Sequence, residues 1–115
     1  MTAASYNDWN VSYSTITYLE RALNVHPNVD SFSRSKDIVF SIDLKSGSTV
    51  VALLLNEYTL GVAAVHKAIH QFPNVQYIAN GSNWNEYTAE AKTFGRTKKI
   101  GIGTIAELLR FLNRK

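Results

Sequence analysis

The chain has 115 residues, 45% of them hydrophobic, and twelve Lys and Arg against nine Asp and Glu give a net charge of +3. That is one domain's length, enough to bury roughly two-thirds of the surface it would expose unfolded, and its composition is not that of a disordered polymer. With no cysteine there is no disulfide framework, thiolate metal site or thiol nucleophile, and the longest apolar run, residues 50–55 (VVALLL), is far short of the roughly 20 residues that cross a bilayer.

The opening MTAASYNDWN lacks the basic and apolar regions of a secretory signal, so the expected location is cytoplasmic, with no membrane partner. Tyr6, Trp9 and Tyr13 make residues 1–13 an aromatic arm. Packing on the core is the ordinary use of such rings; base stacking and a dimer contact are the others. Residues 15–23 then predict a helix, because Ile16, Leu19, Ala22 and Leu23 recur at helical spacing and Ser12 or Ser14 can cap it. Pro27 lies just past its end.

Residues 37–45 (DIVFSIDLK) alternate strictly, with Ile38, Phe40, Ile42 and Leu44 on one side and Asp37, Val39, Ser41, Asp43 and Lys45 on the other. This is a half-buried strand. Lys45–Ser48 is a turn, and residues 48–56 (STVVALLLN) return as a strand apolar on both faces, near the middle of a sheet. Thr59 is positioned to cap a helix over residues 60–72. A strand over 75–79 follows, then a polar loop from Asn80 to Asn85. Next come a helix over 85–94 closed by Gly95 and a short strand over 100–103. Thr104 and Glu107 have capping-box spacing before a last helix with Ile105, Leu108, Leu109 and Leu112 as its buried stripe. Arg110, Arg114 and Lys115 suit that helix's negative end. The order predicts a single α/β domain on a mixed sheet, with an antiparallel hairpin in front and right-handed parallel crossovers behind.

The run of residues 50–55 into Asn56-Glu57-Tyr58 and a helix, the strand at 75–79, the helix start Tyr87-Thr88-Ala89-Glu90-Ala91, and the strand Ile100-Gly101-Ile102 running into Ile105-Ala106-Glu107-Leu108-Leu109 resemble a restriction-endonuclease-like domain of the Mrr-type branch. The likeness covers about two-thirds of the chain and implies an α-β-β-(β)-α-β-α-β-α order. It also implies Mg²⁺-dependent cleavage by an Asp at the second strand and an acid-x-Lys pair on the third. Here the third strand offers only Ala52, Leu53, Leu54 and Leu55 at those positions, none of which ligates a metal. Asp43-Leu44-Lys45 has the acid-x-Lys form one strand earlier, so Asp37, Asp43 and Lys45 are the candidate catalytic set for a divergent nuclease, the one reading that needs Mg²⁺. A solvated hairpin face is the simpler explanation of the same residues.

His66 and His70, four apart on a helix, have the spacing of a transition-metal pair and also of two surface histidines. The loop from Asn80 to Asn85 lies where open α/β sheets gather ligands, and Trp84 within it offers a stacking surface. A nucleotide held there is the expectation of a rival flavodoxin-like or Rossmann-like fold, which the front hairpin disfavours. Lys92, Arg96, Lys98 and Lys99 fall within eight residues with no acid among them. Basic residues so placed can follow a phosphate backbone, and they equally suit a solvated helix end and turn. The sequence thus leads to a non-catalytic nuclease-fold domain, without a cofactor, that binds DNA or RNA through Trp84, Lys92, Arg96, Lys98 and Lys99. A protein-interaction or homodimer module built on the N-terminal aromatics is the alternative.

Overall fold

A computed structural model describes residues 11–81 and 86–115. Four helices and seven strands follow one another as α1 (Tyr13–Asn24), β1 (Val29–Ser35), β2 (Val39–Leu44), β3 (Thr49–Leu55), β4 (Thr59–Leu60), α2 (Val62–Gln71), β5 (Tyr77–Asn80), β6 (Glu86–Tyr87), α3 (Ala89–Thr97), β7 (Gly101–Gly103) and α4 (Ile105–Asn113). The main sheet has the order β1-β2-β3-β5-β7. Its first two pairings are antiparallel and its last two parallel. The domain is therefore α/β with a mixed sheet, as the order of patterns requires.

The alternation of β2 and the continuous apolar run of β3 have one cause. β2 buries Phe40, Ile42 and Leu44 in the core and leaves Asp43 exposed on its other face, whereas β3 is the middle strand of five, with Ala52, Leu53 and Leu54 buried. A strand walled on both faces has no side on which a polar residue is solvated. Both later crossovers step in the same direction along the sheet, so right-handedness puts α2 and α3 on one face. Helices α1 and α4 share the other, where Phe111 of α4 meets Tyr77 of β5 at 5.0 Å between ring centroids.

Around helices α2 and α3 local chemistry departs from the sequence reading at three places. Thr59 does not cap α2; Gly61 does, because Thr59 and Leu60 form β4 and pair in parallel with β6. That small sheet takes Glu86 and Tyr87 out of the predicted helix, so α3 begins at Ala89 under a Thr88 cap. Gly95 lies inside α3 rather than beyond it, and its reason is close approach. A Cβ there would lie 2.6 Å from Ile102 Cγ1 and 2.7 Å from the Ile100 carbonyl. The capping box at Thr104 and Glu107 is formed as read.

Candidate functional site: a basic groove across the sheet edge

Strand β7 is the sheet's last member, and its outer edge runs between the end of α3 and the exposed side of α4. Gly101 and Gly103 let Tyr77 lie flat against it. A Cβ on Gly101 would stand 2.3 Å from the Tyr77 ring, and one on Gly103 would stand 2.5 Å from its hydroxyl. The space left outside this tight layer is a groove of about 260 Å³. Lys92 and Arg96 of α3 line one wall and Glu107, Arg110 and Arg114 of α4 the other. Arg96, Arg110 and Arg114 have no carboxylate within 4.0 Å among the described residues.

Glu107 is the groove's one acid among the described residues, and it is fully occupied. Its carboxylate accepts from the Tyr87 hydroxyl at 3.0 and 3.1 Å and from the Thr104 amide at 3.0 Å, and it faces Lys92 Nζ at 3.7 Å. Lys92 also lies 5.1 Å above the Tyr87 ring. Burial pushes the Glu107 carboxyl up, but the Thr104 amide, the Tyr87 hydroxyl and Lys92 together outweigh it and hold the group below the ordinary value. Glu107 therefore stays ionised and ties α4 to α3 around the sheet edge. Tyr77, behind it, is pushed up to about 12 by burial first and by the charge of Glu107 second, so it stays neutral. The groove floor is neutral and its rim is cationic, which suits an anion.

Charge along the chain is segregated to match. From Lys92 to Lys115 there are seven of the twelve Lys and Arg and one of the nine Asp and Glu, leaving +6 there against −3 for the remainder. Of the residues read from the sequence, Lys92 and Arg96 enter the groove. Lys98 lies over the Phe94 ring at 5.7 Å, and Lys99 lines a neighbouring groove from the turn after α3. Trp84 lies outside the described residues, as do Tyr6 and Trp9. Sequence reasoning missed Arg110 and Arg114 by assigning them to the helix end. Their signal was a spacing of four opposite the buried stripe of α4, which puts both on the outward face.

The candidate catalytic set is not brought together. Asp37 follows Lys36 in a left-handed turn, at φ 66° and 49°, which breaks the alternation and swings its carboxylate to Arg34 at 3.0 Å and Tyr13 at 3.4 Å. Asp43, on β2 itself, accepts instead from Thr49 at 2.8 Å and Ser31 at 3.4 Å. Lys45 lies in the hairpin turn, its amide bonded to the Asn28 carbonyl. These residues do not fit one divalent cation. His66 packs on Phe94 at 5.9 Å and His70 is exposed. No group of three or more His, Asp or Glu among the described residues is arranged to hold a metal.

At the carboxyl ends of the parallel strands, Asn80 is completely buried. Its amide nitrogen donates to the Glu57 and Glu86 carbonyls at 2.8 Å each, and its oxygen accepts from the Glu57 amide at 2.9 Å. That side chain holds loops together and has nothing left for a ligand. No family model, curated protein or solved structure matches this chain.

Proposed function

We propose that the domain binds nucleic acid by charge, without chemistry of its own, through the groove between α3 and α4. One observation carries this reading. Lys92, Arg96, Arg110 and Arg114 converge on a single concavity in which the only carboxylate among the described residues is already bound by three donors. Unpaired guanidinium groups are pre-organised forks for phosphate oxygens. Phosphate recognition by several such groups is felt chiefly as counterion release. The resemblance to restriction-endonuclease-like domains supports the same partner, and the apolar β3 and the separation of Asp37 from Asp43 favour binding over cleavage.

The test is a fluorescence-anisotropy titration of labelled DNA and RNA at several salt concentrations. Four phosphate contacts predict that log K falls with log salt at a slope of about −3. Replacing Arg96 and Arg110 together by Gln halves that slope, and binding that ignores salt, or survives the double change intact, removes the proposal.

A further inference from the structure

A second groove adjoins the first. It has a volume of about 440 Å³, is lined by Ser48, Thr49, Gln76, Lys99 and Lys115, and shares Gly101 and Phe111 with its neighbour. It contributes two more cations and no Asp or Glu among the described residues. The partition between the two grooves is Phe111, half-buried, with the Tyr77 ring 5.0 Å behind it and Lys115 Nζ 5.1 Å from its own centroid. The order along the surface is therefore cations, aromatic ring, cations.

We infer that the occupant is a single nucleic-acid strand that crosses both grooves, with phosphates held on either side of Phe111 and a base on its ring; this rests on the nucleic-acid reading above. A duplex offers a protein its phosphates while its bases stay stacked and paired, so a ring between two cationic grooves would have nothing to meet. A single strand presents phosphates and unstacked bases in alternation, and base–aromatic stacking is its usual anchor. Lys115 leaves the ring face as the base arrives and turns to the adjacent phosphate.

The experiment is an anisotropy titration with a short labelled DNA strand of mixed sequence, alone and annealed to its complement. The single strand binds about tenfold tighter than the duplex. Phe111→Leu weakens single-strand binding about tenfold with its salt slope unchanged, and Lys99→Gln with Lys115→Gln lowers the slope by about 1.4. Circular dichroism checks that the Leu variant folds; the paired Gln changes are on exposed residues and keep the test decisive if it does not. Equal or tighter duplex binding overturns the inference. So does a parent-like result for both variants while the Arg96 and Arg110 changes abolish binding, which leaves the first groove as the whole site. A parent chain that binds neither form ends the nucleic-acid reading itself and this inference with it.

Discussion

Asn80 shows what a buried polar residue does in this domain. Three hydrogen bonds of 2.8–2.9 Å join β5 to the segment after β3 and to β6, and no water-accessible surface remains. Asn80→Ala removes three hydrogen bonds made by a fully buried side chain, so it should cost about 3 kcal/mol in a urea titration; a loss below about 1 kcal/mol contradicts the assignment. Tyr77 carries a second consequence at this scale. Its folded-state value of about 12 lies above the ordinary 10.0, burial being the main cause. The unfolded chain therefore loses that proton first. The stabilisation is complete below pH 10 and is lost as pH rises towards 12. Melting temperatures across that window should fall less steeply for Tyr77→Phe than for the parent.

Helix α4 is held at both ends by different means, and only one of them is local. At its start Thr104 and Glu107 satisfy each other's orphan amides. At its end the carbonyls are met by a connector more than 80 residues earlier. His26 Nε2 donates to the Leu109 carbonyl at 2.9 Å, while its Nδ1 accepts from the Asn28 amide at 3.1 Å. The Asn28 amide nitrogen reaches the Leu112 and Asn113 carbonyls at 3.4 and 3.3 Å. Thr104→Ala and His26→Ala should each cost about 1 kcal/mol. The two sites they touch, Thr104 and Leu109, are roughly 7.5 Å apart along the helix, so the costs should add within about 0.5 kcal/mol. Strong coupling between them in a double-mutant cycle would mean the helix is not the unit described here.

At the scale of the whole molecule, the folded chain carries its excess positive charge on one side of one sheet edge. Self-repulsion there opposes folding, and an anion that occupies the groove relieves it. Inorganic tripolyphosphate at ten times its dissociation constant should raise stability by about 1.4 kcal/mol and shift the thermal midpoint upward. Arg96→Gln with Arg110→Gln should abolish the shift, and an equal shift in that variant would place the anion elsewhere.

How much of this was legible beforehand depended on the range of each interaction. The helical stripe of Ile16, Leu19 and Leu23, the alternation of β2, the unbroken apolar run of β3 and the Thr104 capping box are set within a few residues. Each is a requirement of backbone hydrogen bonding and burial that no distant partner changes. What sequence order could not decide was adjacency. Pairing of β4 with β6 moved the start of α3, and contact with Ile102 put a glycine inside that helix. A left-handed turn at Lys36 and Asp37 dispersed an acid-and-lysine set that strict alternation places on one face. Closure of α3 and α4 around β7 joined Lys92 and Arg96 to Arg110 and Arg114, which lie 14 or more residues further along. Local pattern fixes which face of an element is apolar; which charged faces meet is set by how the elements pack, and that is a property of the fold alone.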